Sequence, residues 1–367
     1  MDPRLAIHFV HSGSDQSLKF VSALAAELCQ SAETAGLSVL IDTRHWQPDA
    51  PGEALSKLLS RYPCTLHVFV VLPLQPELIP PPAGSVLATL TRAAEDNSTW
   101  VMLVQVCEPH SPRLKGELQS LCMPKSDTDR VDCHIQLIQA ILKKLQLLLF
   151  QDSTKPKLFL SHAKYDGRKL AEKFSKDTVN RGLDAFFDEE TISLGEDWRE
   201  SIRDAVVGSI IIAFETDQFS SRYWCRHEVM LAKVTDRPIL LVLCQQKGEP
   251  QRAPHAGALP TVRLSLPPET SGLKQVLLEA LKQALFTFVW TATTKGGGQY
   301  PPQADVGGCV FVRTPDPISL LTDDFKSLRC TVGSTWLYPG PALDEDAAAV
   351  LQTFAPGVRF VSLLELD

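Results

Sequence analysis

The chain has 367 residues, 44% hydrophobic and 22% charged, which suits two or three globular domains with real cores and excludes a disordered or fibrous class. Its formal net charge is −7 and its pI is near 5.8. That balance excludes a general electrostatic footprint for nucleic acid or an anionic membrane. The opening MDPRLAIHFVHSGSD lacks a basic stretch ahead of an apolar run, and LHVFVVL and IIIAF are only strand-length. Neither a signal peptide nor a membrane span is expected. Nine cysteines, at 29, 64, 107, 122, 133, 225, 244, 309 and 330, form no C-x-x-C pair. Such an odd, unpatterned set fits reduced thiols in the cytoplasm better than a disulfide or zinc framework.

Along the first 150 residues, RLAIHFV leads into a helix, and Gly36-Leu37 and Asp42 bracket the strand run LSVLI. Gly52-Glu53 then precedes TLHVFVVL, a proline-stiffened loop and helix in PLQPELIPPPAGSVLATLTRAAEDNST, and WVMLVQVC ending at Cys107. The apolar helix HIQLIQAILKKLQLLLF (134–150) closes the unit.

The rhythm returns from residue 156. KLFLS (157–161) ends in the polar loop HAKYDG. A helix follows with Leu170, Phe174 and Thr178 on one face and Gly182 as its stop. DAFFD (184–188) reads as a second strand. After EETISLGED comes a helix with Trp198, Ile202, Ala205 and Val206 on its apolar side. SIIIAF (209–214), PILLVLC (238–244) and TVRLSL (261–266) are further strands, and 271–289 is a closing helix. Strands this apolar, alternating with helices, predict a doubly wound parallel sheet. Gly36-Leu37 and Asp42 match Gly182-Leu183 and Asp188 at a constant offset of 146, and Gly52-Glu53 matches Gly195-Glu196. The first unit therefore reads either as a duplicate of the second or as a chance likeness between two α/β folds. Glycine- and proline-rich residues beyond 290 read as a linker. CVFVR, STWLYP, DEDAAAVLQTF and VRFVSLL then predict a small α/β accessory unit at 305–367.

FLSHAKYD, FFDEETISLGEDW and RYWCRHEV, in that order on successive strands, resemble the TIR (Toll/interleukin-1 receptor) domain, particularly its bacterial branch. One departure is visible: ETDQFSSR stands where the family has a serine-proline-asparagine-tyrosine-like run, with Thr216 and Phe219 keeping a hydroxyl and an aromatic. The resemblance implies two flavodoxin-like domains, 1–150 and 155–290, the first a degenerate copy. It also implies one of two functions. Some TIR domains are scaffolds that signal by assembling, or serve as secreted mimics of host adaptors. Others cleave NAD at the nicotinamide–ribose bond through the glutamate of W-C-x-x-E, which is Glu228 here. A bacterial anti-phage effector switched on by assembly, or by a protein or ligand at a terminal unit, follows from the second.

A lone carboxylate suffices for that chemistry, because nicotinamide departs neutral and only the ribosyl cation needs stabilising. NAD would then be substrate, with no cofactor; no strand is followed by G-x-G-x-x-G. Free ADP-ribose and cyclic forms are both open as products. Each residue also has a plainer reading. Glu228 could be a half-exposed glutamate in a first helical turn, favoured by the dipole. Trp224 could anchor its helix, and Trp198 could pack on its own helix. Ser161 could cap a helix or bind substrate, beside Phe159, and His162 could be a loop histidine. Gly195 would supply a turn. The acidic loop from Asp188 through Glu189, Glu190 and Glu196 suits contact with a basic surface of a neighbouring copy, for which Lys164, Arg168, Arg199 and Arg203 are candidates. Between its third and fourth strands the first unit has no W-C-x-x-E, only Glu95.

Overall fold

The computed structural model describes residues 5–11, 13–35, 39–61, 66–74, 78–95, 100–107, 114, 119–150, 156–186, 198–248, 259–294, 309–311, 335–338 and 342–362. The chain forms two compact units, Met1–Ser153 with Phe288–Gly298, and Thr154–Thr287 with Gln299–Asp367.

In the first unit the elements run β1 (Leu5–Val10), α1 (Asp15–Ala35), β2 (Val39–Trp46), α2 (Glu53–Arg61), β3 (Leu66–Val71), α3 (Val86–Glu95), β4 (Val101–Cys107), β5 (Gln119–Cys122) and α4 (Asp127–Phe150). The strands form one parallel sheet in the order β2-β1-β3-β4-β5. Continuous apolar runs such as LAIHFV and LHVFVV are buried at every position, as a sheet covered on both faces requires. Leu55 of α2 and Val86, Leu87 and Leu90 of α3 pack on Val10, Phe69 and Val71.

The second unit repeats the order. It comprises β6 (Lys157–His162), α5 (Arg168–Asn180), β7 (Asp184–Phe186), α6 (Trp198–Val207), β8 (Ser209–Glu215), α7 (Tyr223–Val234), β9 (Ile239–Leu243), β10 (Thr261–Arg263) and, as far as Thr287, α8 (Thr270–Thr294). Its sheet runs β7-β6-β8-β9-β10, again parallel throughout. Both sheets thus have the flavodoxin-like order, with a topological switch point where the first and third strands lie side by side. Leu170, Phe174 and Thr178 of α5 are buried. The helix ends as the sequence indicates. Gly182 adopts φ +79°, and the amides of Gly182 and Leu183 donate to Val179 O (2.9 Å) and Thr178 O (3.2 Å), a left-handed terminus that favours glycine.

The remaining elements, β11 (Cys309–Phe311), β12 (Thr335–Tyr338), α9 (Glu345–Phe354) and β13 (Arg359–Ser362), form a three-stranded parallel sheet around Trp336, Tyr338, Leu351, Ala355 and Val358. Asp344 caps α9 by accepting from the Ala347 amide at 2.7 Å.

One polar array interrupts the first unit's core. His8, Asp42 and His67 are buried. His8 Nδ1 lies 3.3 Å from Asp42 Oδ2, and its Nε2 lies 3.1 Å from His67 Nδ1. With Asp42 ionised, His8 donates to it and accepts from the Nδ1–H of His67. The rings of His8 and Phe69 stack at 4.6 Å. In the second sheet Phe159 of β6 pairs with Phe186 of β7 and Ile211 of β8. The rings of Phe159 and Phe186 stack at 5.3 Å. Removing a donor to a buried carboxylate costs more than an ordinary hydrogen bond is worth. His8→Ala should therefore lower the stability of the first unit by about 3 kcal/mol, read from denaturant unfolding of the full chain. A loss under about 1 kcal/mol, the net worth of an ordinary hydrogen bond, would show that the array contributes little.

Candidate functional site at the carboxyl ends of the second sheet

Ser161 lies near the carboxyl end of β6, the strand beside the switch point, and pairs with Ala213 of β8. Its side chain is 1% exposed, and its hydroxyl donates to Glu228 Oε2 at 2.5 Å. Glu228 sits on α7 and is itself only 6% exposed. The half-exposed carboxylate expected from sequence is thus a buried one. The capping reading fails as well, because α7 starts at Tyr223, has no acidic residue in its first turn and is preceded by Arg222 without a side-chain cap. A short hydroxyl–carboxylate bond of this kind is charge-assisted and fixes the direction of the carboxylate.

What carries α7 to this place is a loop held by two aspartates. Asp166, after β6, accepts from Thr216 Oγ1 at 2.7 Å and from the Gln218 amide at 3.0 Å. Asp217 accepts from the amides of Gln246, Lys247 and Gly248, all within 3.1 Å through Oδ1 or Oδ2. The chain between β8 and α7 is thereby tied to the loops that follow β6 and β9. Inside it, Phe219 is buried against Cys225, Val229, Ala163, Ala213 and Leu241. The hydroxyl of Thr216 and the ring of Phe219, kept where the family motif departs, therefore serve a latch and a core.

The surroundings are acidic. Glu215, the last residue of β8, is fully buried, and Ser220 Oγ donates to it at 3.5 Å. Burial first, then the negative charges of Asp166, Glu215 and Asp217, push the Cys244 thiol up to about 12.

The other expected residues divide. Phe159 is 1% exposed and joins Ile202, Val206, Ile211, Ala232 and Ile239 in the core. His162 follows Ser161, so its side chain leaves the other face of β6; it is 7% exposed and its Nδ1 donates to Leu160 O at 3.0 Å. Trp224 is half-buried against the Phe159 cluster and meets Tyr223 and His227 edge-on at 5.2 and 5.5 Å. Cys225 is buried. Asp188, Gly195, Glu189, Glu190 and Glu196 lie outside the described residues, and Trp198 is described only as the first residue of α6. Arg168 pairs with Glu172 on its own helix at 2.9 Å.

Sequence reasoning missed Asp166, Asp217 and Glu215. For Glu215 the signal was the strand run itself, which continues one residue beyond SIIIAF. The two aspartates stand in loops whose partners lie 50 and about 30 residues away, beyond any local pattern. Among the described residues, no group of three or more His, Cys, Asp or Glu could hold a metal, and no helix is long and apolar enough to cross a membrane.

With this geometry in place, the likeness read from the motifs gains a finding. Residues 158–277 match the TIR domain family, so the chain carries a TIR domain across roughly a third of its length, with the parallel α/β fold of that domain. No curated protein matches the chain.

The aspartate ties have a definite pH range. Partial desolvation raises the Asp217 carboxyl, but the Lys247, Gly248 and Gln246 amides and the Lys247 charge more than offset it and hold the group below its ordinary value of 3.8. A depressed folded-state value contributes stability above the ordinary one, and that stability is lost as pH falls through the depressed one. The Gln246, Lys247 and Gly248 amides should stay protected from exchange from neutral pH down to about 4.5 and lose protection only below 3.8. Amide exchange followed by NMR or mass spectrometry checks this; loss of protection near pH 6 would assign the tie to another group.

Proposed function

We propose that the TIR domain cleaves NAD at the nicotinamide–ribose bond, with Glu228 as the catalytic carboxylate. The observation that carries the reading is the Ser161–Glu228 bond at the strand ends beside the switch point, where such folds take ligands. The N-glycosidic bond breaks with its electron pair going to nicotinamide, which leaves neutral. The carboxylate of Glu228 stabilises the ribosyl cation. Water then forms the new C–O bond and releases a proton, giving ADP-ribose, or a group within the substrate attacks and gives a cyclic form. The negative field of Asp166, Glu215 and Asp217, felt by the Cys244 thiol, favours a developing cation. Ser161 keeps the carboxylate aimed. Trp224, Trp198, Asp188, Gly195, His162 and Phe159 complete our proposed substrate site, the buried Phe159 by packing beneath it. NAD is substrate in this reading, and the site needs no metal or cofactor.

We further propose that residues 1–150 are a degenerate, catalytically silent TIR-like copy. Placing the buried Val86, Leu87 and Leu90 of α3 on Glu228, Val229 and Ala232 of α7 puts Val86 where Glu228 stands, and valine has no carboxylate. The copy, or the 305–367 unit, would receive the activating protein or ligand of a cytoplasmic anti-phage effector. A non-enzymatic scaffold is the second reading. It draws on the low exposure of Glu228 and on the exposed apolar face of α7, where Tyr223, Met230 and Val234 recur at helical spacing.

Incubation with NAD and chromatography of the products decides between the two. Glu228→Gln keeps the size and an acceptor for Ser161, and should reduce turnover at least about a thousandfold with an unchanged unfolding midpoint. Ser161→Ala should lower kcat about tenfold with little change in KM, since it removes one charge-assisted hydrogen bond. Wild-type turnover in Glu228→Gln would overturn the assignment. No cleavage by the wild type at high concentration with a crowding agent would favour the scaffold.

Assembly is the proposed switch, through the acidic 189–198 loop and a neighbouring copy. Reversing Glu189 and Glu190 to lysine should lower oligomerisation and NAD cleavage together while the monomer stays folded, and added salt should act in the same direction. Specific activity that is independent of enzyme concentration into the nanomolar range, in both proteins, would identify a self-sufficient monomer.

A further inference from the structure

Strand β5 brings two thiols side by side. Cys107 of β4 and Cys122 of β5 are Cα partners in the parallel register. Neighbouring strands lie about 4.8 Å apart and paired residues project to one face, inside the about 4.4–6.8 Å span of Cα atoms joined by a disulfide. Neither cysteine is in a disulfide; Cys107 is 5% exposed and Cys122 is exposed to solvent. β5 is the last strand of its sheet, held on one side only, so it can shift by the small distance that bond formation needs. A third thiol, Cys133 on α4, is 3% exposed. Burial, then the charge of Cys122, push it up to about 12, so it stays protonated at neutral pH and is a poor competitor.

We propose that Cys107 and Cys122 are a disulfide-forming modification site that responds to hydroperoxides. The Cys122 thiolate attacks a peroxide oxygen; the O–O bond breaks, and the leaving alkoxide or hydroxide takes a proton. Cys122 is then a sulfenic acid. The Cys107 sulfur attacks the Cys122 sulfur, the S–O bond breaks, and hydroxide departs with the Cys107 thiol proton as water. Two electrons pass from the two thiols to the peroxide. A dithiol reductant reverses the step by exchange at the exposed Cys122 sulfur. The bridge locks the carboxyl end of β5 to β4.

The test uses the full chain treated with hydrogen peroxide, quenched with N-ethylmaleimide and mapped by mass spectrometry. A Cys107–Cys122 peptide at least tenfold more abundant than any other cysteine pair, and removed by dithiothreitol, is the expected result. Cys107→Ser should leave a Cys122 sulfenic acid that dimedone traps, which keeps the proposal testable without the bridge itself. A dominant Cys122–Cys133 peptide, an intermolecular Cys122 pair, or conversion of Cys122 to sulfinic acid with Cys107 still alkylated would each overturn it.

Discussion

A strand covered on both faces by helices has little water to satisfy a polar side chain, so most such groups find a partner within the protein. The two five-stranded sheets meet that requirement differently. In the first, His8, Asp42 and His67 satisfy one another in mid-sheet. In the second, the rings of Phe159 and Phe186 stack across β6 and β7, and a buried polar pair stands near the strand end, where Ser161 meets Glu228. One sheet spends its internal polarity on its own core. The other places it near the carboxyl ends of its strands.

That placement depends on parts that do not themselves belong to the pair. Glu228 is set by α7, and α7 by a loop that Asp166 and Asp217 hold from both sides. After burial, which is the larger cause, the same carboxylates with Glu215 also oppose ionisation of the Cys244 thiol. Positioning and electrostatics therefore come from one set of groups. An acidic setting favours cation development and opposes phosphate binding, so a dinucleotide would need its phosphates held elsewhere.

Much of this was legible in the sequence because burial on both faces leaves an unmistakable record. LAIHFV, LHVFVV, KLFLS and SIIIAF all form strands, and Leu170, Phe174 and Thr178 mark the buried face of their helix. The Gly182 stop was legible because only one kind of residue takes that conformation cheaply. QSLC, by contrast, gives no sign of β5: four residues at a sheet edge bury too little to impose a period. Glu228 was legible as a residue but not as a buried one, since its partner is 67 positions away. A carboxylate on a helix surface and one beneath it are written alike.

The three amides that close on Asp217 have a consequence for how this chain can vary. Gly248 adopts φ +81° and is the last residue of the tied segment. The carboxylate makes the root of the β9–β10 connection a fixed post. Chain added beyond the post must still close a loop, but that cost grows only with the logarithm of loop length. Insertions after Gly248 can therefore lengthen the β9–β10 connection while the segment tied to Asp217 stays in place. Evolution, or an engineer, has a place to lengthen this protein beside its candidate site without retuning the carboxylate within it.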